Sequence, residues 1–114
     1  MTRKAARPKT QTVDAVLAAL ADPQRRKVVD VLRAGPRNAG DLSRLVGVSA
    51  PAMSRHLRML KGSGIVSETH PDYDARVRVY ALRTESLGAL KDWLETTERL
   101  WADQLAAFKT HLER

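Results

Sequence analysis

The chain contains no cysteine, so disulfides, thiolate metal sites and thiol redox switches are excluded at once. Aromatic residues are scarce, with two Trp, two Tyr and one Phe, and aliphatic side chains must therefore fill the core. No apolar run approaches the ~20 residues of a membrane-spanning helix, and the N-terminus lacks the apolar stretch of a signal peptide. There is no Gly-rich phosphate loop, no nucleophile elbow and no grouping of His with Asp and Ser. These absences lead to the expectation of a soluble cytoplasmic protein that is not an enzyme. Acid is also sparse over most of the length. Residues 1–83 carry 16 Lys/Arg against 7 Asp/Glu, whereas residues 84–114 carry 4 against 6. At 114 residues and a formal net charge of +7 this is one domain's worth of chain, basic in its body and faintly acidic in its tail. Such a balance suits a polyanion partner on one side and a separate role for the C-terminus.

What is present is mostly helical punctuation. Residues 1–11 hold Arg3, Lys4, Arg7 and Lys9 with no acid, and too little apolar surface to order themselves. Two readings stand for this segment, a basic arm along phosphates or a solvated tail, and the tail is the commoner. From Thr12 onward, Val13, Val16, Leu17 and Leu20 form a helical stripe. Asp22 then caps a second helix with Pro23 at its first position, running to Ala34 with Val28, Val29, Val31 and Leu32 inward. Arg25, Arg26 and Lys27 near its start oppose the helix dipole, at a cost of roughly a few tenths of a kcal/mol that a nearby phosphate would relieve. As plain solubility residues they are equally well explained. Gly35-Pro36 breaks the chain. Asn38 opens a third helix with Ala39, Leu42, Leu45 and Val46 inward, and Gly47 ends it.

Ser49 caps a fourth helix, with Pro51 tolerated in its first turn. Ala52, Met53, Leu57 and Leu60 share one buried stripe, while Ser54, Arg55, Arg58 and Lys61 lie on the other side. No acid stands between Ser49 and Gly64, and Gly62 and Gly64 are read as left-handed positions closing the helix. Two short helices joined by a tight Gly-containing turn make a helix-turn-helix, whose second member is shaped to enter a DNA major groove. Residues 65–69 and 76–82, rich in β-branched and aromatic side chains, read as a β-hairpin wing beside it. Arg76 and Arg78 would then share one strand face and Val77 and Val79 the other. Asp72 and Asp74 at its tip are poor neighbours for phosphate. Thr84 and Glu85 start a last helix reaching about Glu113, with a seam of Leu87, Leu90, Leu94, Thr97, Trp101, Leu105, Phe108 and Leu112 widened by Trp93 and Leu100. One small domain cannot cover a seam of that length, and a second copy of the chain is its natural cover.

The stretches LADPQRRKVVDVL (residues 20–32), GDLSRLVGVS (40–49), SRHLRMLKGSGIV (54–66) and RVYAL (78–82) resemble the ArsR family of bacterial winged-helix repressors. The resemblance covers nearly all of residues 12–113. It implies a mostly α fold with a β-hairpin wing, a winged helix-turn-helix in the order α-α-α-α-β-β-α, dimeric through its first and last helices. It also implies repression of transcription by binding double-stranded DNA at an imperfect inverted repeat, at the nucleoid. By position in the family's reading helix, Ser49, Ala50, Pro51, Ser54 and Arg55 approach base edges. Ala50 and Pro51 stand where polar residues are often found, so readout would rest mainly on Ser54, Arg55 and Arg58, with Lys61, Arg76 and Arg78 completing the expected contact set. Val13, Leu17, Leu94, Trp101, Leu105 and Phe108 are the expected dimer contacts. The expected division is a flexible arm over 1–11, the DNA-binding unit over 12–83 and the dimerisation helix over 84–114.

The sensing chemistry of the family does not come along with the fold. Metal-sensing members carry a Cys-x-Cys pair in the third helix, and here those positions read Asn38 and Gly40, which cannot ligate a soft metal. Members that bind zinc use Asp and His pairs on the last helix, where this chain offers Asp92 and Asp103 but one histidine, His111. No metal or cofactor is therefore expected, and release would depend on an unidentified small molecule, a partner protein or the amount of repressor. His56, beside the apolar stripe, is read as a hydrogen-bonded boundary residue and His70 as a loop histidine. Trp93, Trp101 and Phe108 are read as dimer core rather than a ligand pocket. The competing function is a winged-helix module for protein contact or nonspecific DNA coating, which would bind random DNA as well as its own upstream region.

Overall fold

The computed structural model describes residues 12–113, so the expected basic arm over 1–11 lies outside the described residues. Five α-helices and three short strands follow one another as α1 (Val13–Leu20), α2 (Pro23–Leu32), β1 (Arg37–Asn38), α3 (Ala39–Val46), α4 (Ala50–Gly62), β2 (Val66–Thr69), β3 (Val79–Leu82) and α5 (Gly88–Leu112). A 3-10 turn, Thr84–Leu87, leads into α5. The architecture is a winged helix-turn-helix, as expected.

Each of the first four helices starts on a side chain that accepts an otherwise orphaned backbone N–H. Thr12 accepts from Ala15 (3.2 Å), Asp22 from Gln24 (2.7 Å), Asn38 from Asp41 (2.8 Å) and Ser49 from Ala52 (3.2 Å). The two helices of the helix-turn-helix also end alike. Val48 N–H reaches back to Ser43 O (3.1 Å) around Gly47 at φ 84°, and Ile65 N–H to Leu60 O (3.0 Å) around Gly64 at φ 82°. Both closures need a left-handed residue, which is why glycine sits at each. Gly62, expected to be a second such position, is helical and belongs to α4.

The core gathers Val16, Ala19, Val28, Leu32, Leu42, Met53, Leu57, Leu60, Ile65, Val66 and Tyr80, with Leu20, Val29, Val31, Ala39, Val46, Leu82 and Leu90 packed around it. The aliphatic stripes of α1, α2 and α4 thus meet as their spacing requires. Leu45 does not join them: it is 52 % exposed, because an eight-residue helix presents only about two turns and Leu42 already fills the buried side.

Three further expectations are corrected. The wing is the edge of a three-stranded antiparallel sheet in the order β1-β3-β2, not a lone hairpin. Its extra strand, Arg37–Asn38, pairs with Tyr80 and Val79 and is too short to leave a period in the sequence. The hairpin strands are also shorter than their composition suggests. β3 begins at Val79, so Arg76 and Arg78 precede it, since Asp74 Oδ1 accepts the Arg76 N–H at 2.9 Å and curls the chain there. Finally, Arg25 and Arg26 relieve their misfit with the α2 dipole without any phosphate. Arg25 donates to Ala19 O (2.6 Å) and Ala18 O (3.2 Å), and Arg26 to Leu20 O (2.7 Å), capping the carbonyl end of α1, where positive charge is favourable.

Asn38 has two tasks, since it pairs with Val79 in the ladder and caps α3. Asn38→Ala is expected to lower stability by about 1 kcal/mol through the lost cap. A denaturant midpoint unchanged from that of the parent would show that α3 needs no cap.

Candidate nucleic-acid interface

With Met53, Leu57 and Leu60 buried against the core, α4 has no freedom to turn, and its opposite face is fixed outward. Ser49, Ala50 and Pro51 at its N-terminal end are exposed, as are Ser54, Arg55, Arg58 and Lys61 along it. Residues 54, 58 and 61 fall three or four apart and share one face, with Arg55 on its flank. Among the described residues Arg55 and Arg58 form no hydrogen bond or ion pair, so both guanidinium forks face solvent uncommitted. Ser49 Oγ is occupied in capping the helix.

The other three expected cations are engaged. Lys61 Nζ donates to Glu68 Oε1 at 2.6 Å, and Arg78 Nε lies 3.6 Å from Glu68 Oε2. Arg76 Nε lies 3.2 Å from Asp74 Oδ1 on a side chain that is otherwise in water. Glu68 was not foreseen. It sits on β2 opposite Tyr80, and the hairpin register carries it against the C-terminal half of α4. The Lys61 ammonium bonded to it, with Arg78 and His70 nearby, holds its carboxyl below the usual carboxylate range despite partial burial. Burial and the facing Glu68 push the Tyr80 hydroxyl the other way, upward. Ser54, Leu57, Arg58, Lys61, Glu68, Arg78 and Tyr80 line a cleft of about 150 Å³ between α4 and the wing.

Two of the three histidines, His56 and His70, make contacts within the fold. His56 Nε2 lies 3.0 Å from Gln24 Oε1, tying α4 to the start of α2, so its reading as a hydrogen-bonded boundary residue agrees with the contact. His70 Nδ1 lies 3.1 Å from Val77 O across the hairpin. Among the described residues no three His, Asp or Glu side chains gather closely enough to hold a metal ion. Asn38, at the position where metal sensors of the resembled family carry a thiolate, has its side chain committed to the α3 cap.

The sequence profile described as the bacterial regulatory protein arsR family matches residues 22–68, that is, α2 through to the middle of β2. The helix-turn-helix transcriptional regulator Rv2034 of Mycobacterium tuberculosis is 37% identical over 95 residues, covering 83% of this chain and 83% of its own. This chain belongs to the ArsR family. The transcriptional repressor SdpR of Bacillus subtilis is 33% identical over 79 residues, 69% of this chain and 84% of its own. Among solved structures, an ArsR-like transcriptional regulator from Rhodococcus sp. RHA1 superimposes with a TM-score of 0.72 at 28% identity, covering 86% of this chain and 90% of that one. As an ArsR-family protein the chain is a DNA-binding transcriptional regulator and not an enzyme. Among the described residues no helix is long and apolar enough to cross a membrane. The profile match holds α3, α4 and Glu68 and stops short of Arg76, Arg78 and α5, whereas the match to Rv2034 spans 83% of this chain.

Proposed function

We propose that the protein is a homodimeric, cytoplasmic repressor that binds an inverted-repeat operator, each protomer laying α4 in a major groove. The observation that carries this reading is the outward face of α4, where Ser54, Arg55 and Arg58 are exposed and the two arginines are uncommitted. Guanidinium forks of this kind pair with guanine edges or clamp phosphates. Ser49, Ala50 and Pro51 lie at the helix end that approaches the bases, and Lys61, Arg76 and Arg78 flank it as phosphate contacts. Residues 12–83 form the DNA-binding unit and 84–114 the dimerisation helix. Val13 and Leu17 on α1 join Leu94, Trp101, Leu105 and Phe108 on α5 in the dimer contact, since α1 packs beside α5 and Leu17 is left exposed there. That SdpR is named a transcriptional repressor supports repression over activation.

The signal that releases DNA is not a soft metal, because arsenite and its like require thiolates and the chain has no cysteine. An organic ligand at the dimer seam, a partner protein or simple dilution of the repressor remains as the means of release. A footprint of the purified protein on the DNA upstream of its own gene tests the reading. Two protected patches about one helical turn apart, roughly 34–36 Å between centres, are expected, unchanged by chelator, zinc or arsenite at fixed salt. Uniform protection equal to that of random DNA would overturn operator specificity and leave a DNA-coating module. Loss of protection at micromolar metal would overturn the account of release.

A further inference from the structure

We infer that Glu68 is a selectivity residue, whose carboxylate competes with DNA phosphate for Lys61 and Arg78 and thereby holds down sequence-independent binding. The inference rests on the proposed interface of α4 and the wing.

Four observations lead to it. Among the described residues Glu68 is the only carboxylate lining the cleft between α4 and the wing, where Arg58, Lys61 and Arg78 supply three positive charges. Its side chain is 13 % exposed, against 56 % for Lys61 and 59 % for Arg78. The acid therefore lies beneath and the cations stand on the rim, where an approaching phosphate meets them first. The contacts are close on one side and loose on the other, a 2.6 Å hydrogen bond to Lys61 and a 3.6 Å ion pair to Arg78. Arg55 and Arg58, the residues best placed for base edges, are left out of the pairing.

The consequence follows from how each kind of DNA contact gains its energy. A Lys or Arg that neutralises a phosphate releases a counterion, and the logarithm of affinity falls with the logarithm of salt by about 0.9 per contact. At ~0.1 M salt one such contact is worth on the order of tenfold in affinity. A cation already neutralised by a carboxylate releases less, and the carboxylate itself repels the phosphate. Random DNA is bound almost wholly by this term, in whichever position gives the most phosphate contact. On an operator the position is fixed by base edges, and Arg55 and Arg58 carry a share that Glu68 does not touch. The carboxylate thus weakens the wrong complexes more than the right one, which is how specificity is gained by penalising alternatives. Held below its usual range by Lys61, it stays charged at neutral pH and acts there continuously.

The test is Glu68→Gln in the full-length protein, which keeps the shape and removes the charge. Binding to a random duplex and to the footprinted operator is titrated over 50–300 mM potassium salt (a range of the ~0.1 M order at which counterion release is read). The variant is expected to bind random duplex about tenfold more tightly near 0.1 M salt, with a salt slope steeper by about one, and to gain less on the operator. In a Lys61→Ala, Arg78→Ala background the same change is expected to give only the small gain of lost repulsion, with the salt slope unchanged, and thermal melting without DNA checks that each variant is folded. A random-DNA slope that is unchanged or shallower in the single variant overturns the inference, as does a gain that survives removal of both cations at full size. Arg55→Ala in the same titrations separates the two layers. If it weakens operator binding while Glu68→Gln changes nothing, only the role of Glu68 falls. If neither moves, the interface itself falls, and the inference with it.

Discussion

Replacing Trp101 or Leu105 by Asp is expected to yield a folded monomer that binds operator DNA a hundredfold or more weakly. On α5 the core claims only the first turn: Ala89 is buried and Leu90 packs against the winged helix. Beyond it the helix runs on for most of its 25 residues, ~38 Å in all at 1.5 Å per residue. Leu94, Leu100, Trp101, Leu105, Phe108 and Leu112 are each half or more exposed. An apolar stripe of that extent left exposed on one chain is costly in water, which is the ground for proposing it as the dimer contact. Neither Trp101 nor Leu105 contributes to the protomer core, so an Asp there leaves the winged helix intact while placing a charge where the partner's apolar side chains would lie. Operator binding would suffer because two reading helices on one body bind with an avidity about 10²–10⁴ above that of one. Sedimentation at micromolar concentration checks the first half and a mobility-shift titration the second. A wild-type chain that sediments as a monomer would show that α5 has some other use.

What the sequence discloses here is what depends on neighbours in the chain. The caps at Asp22, Asn38 and Ser49 are bonds to the residue two or three places on, so the side chain and its acceptor geometry can be read together. The stripe of Met53, Leu57 and Leu60 is legible for the same reason, and with it the direction in which Arg55 and Arg58 must point. Contacts that close long loops leave no such trace. Nothing local foretells that Arg25 and Arg26 cap the helix before their own, or that Arg37–Asn38 adds a strand beside Val79 and Tyr80. Glu68 is the instructive case. Read along the chain it is one acid in a strand, and only the pairing of β2 with β3 sets it among Lys61, Arg78 and His70. The same register explains why an acid-free helix does not yield an acid-free surface. His56 was expected to be hydrogen-bonded, but its partner, Gln24, lies 32 positions away and could not be named from the chain.

Arg55→Ala and Arg58→Ala are each expected to weaken operator binding by about 1–3 kcal/mol per half-site, and a homodimer incurs the loss twice. The two differ from the other cations of this face in one respect, since Lys61, Arg76 and Arg78 each already face a carboxylate of the same chain while Arg55 and Arg58 do not. A fork without an intramolecular partner has no bond to break before it meets DNA, so its full contact energy appears in the complex. Position separates them further. Arg55 lies in the second turn of α4, one turn beyond the exposed Ser49–Pro51 end, where a reading helix meets base edges. Arg58 follows one turn later, on the rim of the cleft shared with the wing. Arg55→Ala should therefore relax sequence preference at one base position of each half-site, and Arg58→Ala should divide its effect between base and phosphate. Arg55→Lys tests the chemistry: a single ammonium keeps the charge but loses the fork, so random-DNA affinity should hold while operator affinity falls. Arg76→Ala provides the contrast, weakening operator and random duplex alike and lowering the salt slope by less than one, since Asp74 already neutralises part of its charge. Mobility-shift titrations of operator and random duplex at one salt concentration decide the matter. Operator affinity unchanged in both Arg55→Ala and Arg58→Ala would remove α4 as the reading helix, whatever the dimer does.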